Sequence, residues 1–400
     1  MIWSNSTIKL KKKRDRPIRQ GHPWIFSGAV EEVKGDPQPG DLVTVLSKDS
    51  LPLGTAYYNP HSQIRARMLT PDADRPIDTS FWQERIEDAY TARQALPLPQ
   101  TDSYRLINAE SDRIPGLIVD KYGDYLVFQS LTAGIERQKD ELVNILRRVC
   151  QPKGIIERSD SPIRQKEGLE PISQIYWGQP PPDELIIHEY GIPIGVQLLD
   201  GHKTGFYLDQ RENRALIGQE SFVAGKHILN LFAYTGGFAL HAAQNGAARI
   251  TNVDSSQPAL EQAEKNINRL GLNRENDEYI LADVFELLRY YRQTGQQFDL
   301  IISDPPKFAH SRREIKSASR GYKDLNWLSL RLLRPGGLLA TFSCSGAITP
   351  ELFQQILFSA TVDAQRDVQI IYTLSQAADH PIAVNFPESA YLKGFLCRVW

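Results

Sequence analysis

The chain of 400 residues contains little cysteine: only Cys150, Cys344 and Cys397. Three scattered thiols are too few for a disulfide framework or a structural zinc site, so we expect no metal centre. No apolar run approaches the about 18–20 residues that cross a bilayer, and the basic N-terminal segment lacks the apolar stretch of a signal peptide. These absences predict a cytoplasmic protein that does not associate with membranes.

A strong charge imbalance is also missing, because the formal net charge is −2 in a chain that is 41% hydrophobic and 24% charged. This globular composition excludes a disordered chain. Two local basic runs nevertheless stand out, and clustered cations bind nucleic-acid phosphates through counterion release. Solvated surface segments are the alternative interpretation. The candidate binding residues are Lys11, Lys12, Lys13 and Arg14 in the first run, and Arg312, Arg313, Lys316 and Arg320 in the second.

The pattern of turn residues and of hydrophobic periodicity divides the chain into three predicted domains. Residues 1–72 read as short strands punctuated by glycine and proline, which predicts a small all-β domain. Residues 73–182 mix strands and helices and end near three consecutive prolines, which predicts an α+β middle domain. Residues 183–400 alternate strand and helix, the signature of a doubly wound parallel α/β sheet.

The last part should contain seven strands, and its final two are separated by a loop too short for a crossover helix. The seventh strand is therefore predicted to be antiparallel to its neighbour. The arrangement resembles the methyltransferase variant of the Rossmann-like layout. The predicted strands are 227–232, 249–254, 278–283, 299–304, 338–345, 367–374 and 391–400, and the predicted helices are 238–245, 257–270, 285–293, 325–333 and 350–364.

The ends of the first three strands predict a cofactor site, since ligands of such sheets bind beyond the carboxyl ends of the strands. Small residues after the first strand allow close approach of the backbone, but G-x-G-x-x-G is absent and a pyrophosphate is not expected. Asp254 is placed to accept from ribose hydroxyls and Asp283 from an adenine amino group, although a strand-end aspartate is more often a helix N-cap. The turn residues expected at the cofactor are Phe232, Tyr234, Thr235 and Gly236.

The fourth and fifth strands end in an acid and a thiol. Asp304 precedes Pro305 and Pro306, which fix the backbone and remove two donors. Cys344 should lie beside Asp304 because the two strands are expected to be neighbours. A thiolate that adds to carbon 6 of cytosine activates carbon 5 for methylation, and an acid at the N3–N4 edge assists. A structural role for Cys344 as a buried strand-end residue is the alternative.

Seven motifs resemble the family of ribosomal RNA large-subunit cytosine-C5 methyltransferases. They are KTGFYLDQR (203–211), NLFAYTGGFAL (230–240), DPPKFA (304–309), RGYKDLN (320–326), TFSCSG (341–346), QAADHP (376–381) and YLKGF (391–395). The resemblance implies a PUA RNA-binding domain, a middle domain and a class I methyltransferase domain that uses S-adenosyl-L-methionine. It also implies that Cys344 is the nucleophile and Asp304 the acid.

The resemblance further implies that 203–211 forms a hairpin over the cofactor, with Gln210 and Arg211 reaching the cofactor carboxylate. This chain departs from many related enzymes in one respect: Pro306 and then Lys307 stand where a second cysteine assists product release. The group that removes the C5 proton is therefore unassigned, with Lys307 and Lys393 as candidates.

Three functions remain open from the sequence. The leading one is methylation of cytosine C5 in large-subunit ribosomal RNA, with the possibility of a homodimer. The second is methylation of a guanine nitrogen, which requires no thiol. The third is a non-catalytic RNA-binding assembly factor, which the combination of Asp254, Asp283, Asp304 and Cys344 disfavours.

Overall fold

The computed structural model describes residues 6–199, 205–272, 274–309 and 311–400. The chain forms two compact units. The first contains the described residues up to Ile187 together with those of Val196–Leu208 and Ala378–Ser389, and the second contains His188–Gly195, Asp209–Ala377 and Ala390–Trp400. The boundaries of the three predicted domains stay a prediction.

The first unit begins with a six-stranded sheet of order β2-β6-β5-β4-β1-β3. Ile8, Val43, Val45 and Ala56 are fully buried in its core. The elements are β1 (Thr7–Leu10), α1 (Arg16–Arg19), β2 (Trp24–Phe26), β3 (Val30–Lys34), β4 (Leu42–Leu46), β5 (Pro52–Tyr58) and β6 (Ile64–Thr70).

A five-stranded sheet of order β11-β10-β9-β8-β7 follows, with two long helices packed against each other. The first of these helices starts where the Asp78 carboxylate accepts from the Phe81 amide, and the second where the Thr132 hydroxyl accepts from the Ile135 amide. The elements are α2 (Thr79–Gln94), β7 (Ser103–Asn108), β8 (Leu117–Tyr122), β9 (Tyr125–Ser130), α3 (Ala133–Cys150), β10 (Gly154–Ser159), α4 (Ile163–Lys166) and β11 (Ile172–Gly178). A hairpin of β12 (Leu185–Glu189) and β13 (Ile192–Val196) comes next.

The second unit contains a seven-stranded sheet of order β16-β15-β14-β17-β18-β20-β19. Its strands are β14 (His227–Leu231), β15 (Arg249–Asp254), β16 (Glu278–Leu281), β17 (Phe298–Ser303), β18 (Leu333–Ser343), β19 (Val368–Ser375) and β20 (Lys393–Val399). Its helices are α5 (Arg211–Ile217), α6 (Glu220–Val223), α7 (Gly237–Gln244), α8 (Gln257–Arg269), α9 (Val284–Thr294), α10 (Ile315–Leu332) and α11 (Pro350–Ala364).

This topology confirms the predicted α/β fold. Strands β14 to β18 pair in parallel, and β20 is antiparallel to both β18 and β19. The last strand in sequence is therefore an inner strand of the sheet. Within the described part of the chain, no helix is both long and apolar enough to cross a bilayer.

One helix differs clearly from the prediction: α10 begins at Ile315 rather than at 325. The charged residues of the second basic run mask the helical period, so the predicted helix started too late. Ala318, Tyr322 and Leu325 are buried at helical spacing, while Lys316 and Arg320 are exposed on the other face. Lys316 and Arg320 of the second basic run therefore lie on a helix.

A buried ion cluster lies within the second unit. The Arg214 guanidinium on α5 donates from Nε to Oε1 of Glu189 at 2.8 Å, and Nη2 donates to Oε2. His241 Nε2 on α7 lies 2.9 Å from Oε1 of the same carboxylate. Burial alone raises the pKa of Glu189, but the charge and hydrogen bonds of Arg214, together with the contact to His241, outweigh burial and lower the pKa to about 2.

We predict that Glu189→Gln lowers the free energy of unfolding by about 3–5 kcal/mol, because the buried Arg214 guanidinium loses a carboxylate that pairs with it through two hydrogen bonds. The contribution of the wild-type carboxylate should be complete above its unfolded pKa of 4.5 and disappear as the pH falls toward 2. Urea unfolding at several pH values measures both effects.

The exposed pair of Arg249 and Glu278, 2.6 Å apart, supplies the matched control. Glu278→Gln should cost at most about 1 kcal/mol, since water screens this pair. Equal costs for the two variants would contradict a special role for the buried cluster.

Candidate active site

The turn after β14 has an unusual backbone conformation. Phe232 and Tyr234 have φ angles of 57° and 48°, and such left-handed non-glycine residues cluster at ligand sites. Gly236 has a φ of 80°, and a Cβ there would lie 3.0 Å from the Cβ of Ala263 on α8. The turn therefore packs closely against α8, and position 236 requires glycine.

Asp254 organises the turn from the end of β15. Its Oδ2 accepts from the Tyr234 amide and its Oδ1 from the Ser256 amide, both at 2.9 Å. Since each carboxylate oxygen has two lone pairs, the half-buried side chain retains acceptor capacity toward a ligand. The neighbouring Thr235 hydroxyl is buried, and it has no hydrogen-bond partner among the described residues. An unsatisfied buried hydroxyl beside a glycine turn fits a polar ligand that supplies the missing partner.

Asp283, the other expected adenosine contact, directly precedes α9. Its Oδ1 accepts from the Glu286 amide at 3.0 Å, so it is the N-cap that the sequence offered as the alternative. This bond uses one of its two oxygens. Asp283 stays a proposal as a ligand of the adenine amino group.

Gln210 contacts the acid at the end of β17. Its Nε2 donates to Oδ2 of Asp304 at 2.9 Å, and its Oε1 accepts from Nδ2 of Asn213 at 2.6 Å. Asn213 also donates to the Ser375 carbonyl at 2.9 Å. This chain of amides fixes which end of the Gln210 side chain faces Asp304, so the carboxylate is the acceptor.

Sequence reasoning assigned Gln210 to the cofactor carboxylate and did not single out Asn213. The spacing from Gln210 to Asn213, one helical turn, was the available signal. Arg211 is fully buried, with Nη2 3.1 Å from Oε1 of Glu212, and it also hydrogen-bonds Tyr190. Its expected contact with the cofactor stays a proposal. The hairpin expected over 203–211 is wrong for the described part of this run, because Leu208–Gln210 form a 3-10 helix that leads directly into α5. Residues 203 and 204 lie outside the described residues.

Cys344 follows β18 directly. The structure brings it to the acid motif, with Sγ 3.9 Å from the carbonyl oxygen of Pro305. The thiol is partly exposed, unlike the fully buried Cys397. Both Asp304 and Cys344 therefore stand where the strands end, as the sequence led us to expect.

The loop that follows Asp304 is held by contacts that the sequence did not predict. The Ala309 amide donates to the Ser345 hydroxyl at 3.2 Å, and the Tyr322 hydroxyl lies 3.0 Å from the same oxygen. The ring of Phe308 packs on Tyr322 at a centroid distance of 4.6 Å. A buried tyrosine thus links the acid loop to the thiol loop.

Lys393 on β20 lies behind the thiol loop. Its Nζ donates to the carbonyls of Ser345 and Ile348, at 2.8 and 2.9 Å. Burial lowers the pKa of this ammonium to about 8, an effect that the neighbouring Cys344 opposes and Lys307 reinforces. Lys307 itself is exposed.

The candidate RNA-binding residues are all exposed. Lys11, Lys12, Lys13 and Arg14 follow β1, and the Lys11 ammonium donates to the Gly28 carbonyl. Arg312 and Arg313 precede α10, and Lys316 and Arg320 lie one turn apart on that helix. Within the described ranges, no carboxylate forms an ion pair with any of these residues, which leaves their charges available to phosphate. Among the described residues, no cluster of acidic, histidine or cysteine side chains is arranged to hold a metal ion.

Comparison with known proteins agrees with this geometry. Residues 8–71 match a PUA-like domain, and residues 152–397 match the S-adenosylmethionine-dependent methyltransferases. A methyltransferase crystallised with SAH, SMU.776, superimposes with a TM-score of 0.85 at 25% identity, covering 98% of this chain and 99% of its own. A SAM-dependent methyltransferase from Streptococcus mutans gives the same TM-score at 26% identity, with the same coverage. Fold and site define a class I S-adenosylmethionine-dependent methyltransferase.

Two relatives carry the name ribosomal RNA large subunit methyltransferase I. The protein from Pseudoalteromonas translucida is 46% identical over 396 residues, covering 99% of this chain and 100% of the relative. That from Shewanella amazonensis is 48% identical over 394 residues, covering 98% and 99%. The chain belongs to this family.

Asp254→Ala should weaken binding of SAH by about tenfold or more. The Tyr234 and Ser256 amides lose their common acceptor, and the ribose hydroxyls of the ligand lose the acceptor expected for them. Titration calorimetry measures the affinity, and circular dichroism checks the fold. Asp254→Asn is the matched control: it keeps one acceptor oxygen and the volume, and should lose less. Unchanged affinity in the alanine variant would remove Asp254 from the cofactor site.

Proposed function

We propose that this enzyme methylates carbon 5 of a cytosine in large-subunit ribosomal RNA. The names of its relatives support the RNA substrate. The observation that carries the choice of base and atom is the partly exposed Cys344 thiol beside the Asp304 loop. Methylation of a guanine nitrogen needs no thiol there.

The cofactor supplies an electrophilic methyl group when it is bound at the turn after β14. The residues expected to hold it are Phe232, Tyr234, Thr235, Gly236, Asp254, Asp283 and Arg211. Asp254 is the proposed partner of the ribose hydroxyls, and the unsatisfied Thr235 hydroxyl is available to a polar group of the ligand.

Cys344 is the proposed nucleophile toward the base. Its thiolate forms a bond to carbon 6, which raises the electron density at carbon 5. After carbon 5 takes the methyl group, its proton leaves, the carbon–sulfur bond breaks and the thiolate is restored. Lys307 and Lys393 are the candidates for accepting that proton.

Asp304 is proposed to recognise the N3–N4 edge of the cytosine base. A carboxylate accepts hydrogen bonds, so it pairs with the exocyclic amino group of cytosine and disfavours the carbonyl of uracil at the same position. The Gln210 amide donates to Oδ2 and stabilises the ionised form. As the adduct forms at carbon 6, the carboxylate accepts a hydrogen bond from N3–H and so stabilises N3 in its protonated form.

Base access and RNA affinity come from other parts of the chain. Carbon 5 is accessible to Cys344 only when the base is unstacked, which costs a few kcal/mol in a duplex. The exposed cations around Lys11–Arg14 and Arg312–Arg320 are proposed to contact phosphates, and a PUA-like domain is present at residues 8–71.

The direct test is product analysis. Wild-type protein incubated with S-adenosylmethionine and unmodified large-subunit RNA should give 5-methylcytidine after digestion to nucleosides, read by mass spectrometry. Cys344→Ala should reduce the yield by several orders of magnitude while SAH binding is unchanged. Cys397→Ala, at a fully buried thiol on the neighbouring strand β20, is the control. A methylguanosine product, or an active Cys344→Ala variant, would falsify the assignment.

A second experiment separates the two roles open to Gln210. Gln210→Ala should lower kcat/KM about tenfold, because Asp304 loses one hydrogen bond to its charged form. SAH affinity should stay within about twofold of wild type if the amide serves Asp304 alone. If SAH affinity falls instead and kcat is unaffected, Gln210 serves the cofactor.

A further inference from the structure

The position of Lys393 is fixed by the sheet. In the antiparallel pairing of β18 with β20, Lys393 stands opposite Ser343, the residue directly before Cys344. Its side chain is almost fully buried, and Nζ donates to the carbonyls of Ser345 and Ile348. The ammonium thus binds the backbone that follows the proposed nucleophile, on its buried side.

This cation lacks a carboxylate counter-ion. Throughout the described ranges, no acidic side chain lies within ion-pair distance of Nζ. The titratable groups that interact with Lys393 are Cys344 and Lys307, and Tyr322 also faces Cys344. A buried ammonium is costly unless opposite charge or hydrogen bonds compensate it. Two carbonyls satisfy two of its three N–H groups, and the thiol is the one acid among those titratable neighbours.

We propose that Lys393 is a positioning residue that favours the thiolate form of Cys344. It also fixes the backbone after Cys344 and thereby orients the sulfur atom. The inference deepens the proposed function, since the thiolate is the attacking species. Cys344 releases its proton to solvent, while Lys393 retains all three protons through the cycle, which leaves Lys307 as the candidate for accepting the C5 proton. When the carbon–sulfur bond breaks at the end, the ion pair of thiolate and ammonium is restored.

The pH range of the effect follows from the same contacts. Because burial lowers the pKa of Lys393 to about 8, the ammonium is charged at neutral pH and loses its charge above that value. The thiol and the ammonium titrate as a coupled pair, so a measurement reports apparent values of the pair.

Alkylation by iodoacetamide tests this in the full-length protein without RNA. The rate at Cys344 is followed from pH 6 to 10 by mass spectrometry of the peptide that contains it. Burial raises the pKa of Cys150 and of Cys397 to about 12, which keeps both thiols from reacting in this range. Lys393→Met removes the charge and approximately keeps the volume, and Lys393→Arg keeps the charge.

We expect Lys393→Met to raise the apparent pKa of Cys344 by about one unit, which means about tenfold less thiolate at neutral pH. Lys393→Arg should restore at least part of the difference. Lys307→Met is the matched control, because it removes an exposed neighbouring cation that water screens, and it should change the pKa less. An unchanged pKa in a Lys393→Met protein that still binds SAH overturns the proposal.

Wild-type protein alone also decides the question if Lys393→Met fails to fold. The apparent pKa of Cys344 should lie below the about 8.5 of an unperturbed thiol, and a value of 9 or more contradicts the proposal. These results are separable from failure of the proposed function. A low Cys344 pKa that depends on Lys393, combined with a product other than 5-methylcytidine, would support the interaction of Lys393 with Cys344. The same result would contradict the proposed methylation of carbon 5.

Discussion

Parallel register between three neighbouring strands is the constraint on which the site depends. Leu231 of β14 pairs with Ser303 of β17, which in turn pairs with Thr341 of β18. β14 and β17 therefore end at one level, and β18 ends two residues beyond it. Phe232, Asp304 and Cys344 are the first residues after these three strands. A slip of one residue in either pairing would turn a whole strand to the other face and separate acid from thiol.

Local patterns made the sheet and its edge predictable. β15 and α11 match their predicted bounds, and the short loop before β20 correctly indicated an antiparallel strand. Contacts between distant residues were not accessible in this way. The bond between Gln210 and Asp304 joins residues 94 positions apart, and Lys393 meets the Cys344 loop only because β20 inserts beside β18. No periodicity encodes such pairs, since they depend on where separate elements pack.

The acid and the thiol loop are supported by different kinds of contact. The Gln210 amide donates to Oδ2 of Asp304 and orients the carboxylate. The thiol loop is held by the buried Lys393 ammonium, which donates to the Ser345 carbonyl, and by the hydroxyl contact between Tyr322 and Ser345. Both supports come from elements that are distant in sequence from the loops that they hold.

The position of β20 between β18 and β19 affects how the sheet forms while the chain is being synthesised. Synthesis proceeds from the N-terminus, so these last residues emerge after all other strands of the sheet. Until then β18 and β19 each present an unpaired edge, which is a template for aggregation. Removal of the residues after Leu392 would therefore take away an inner strand of the sheet and leave β19 without its strand partner.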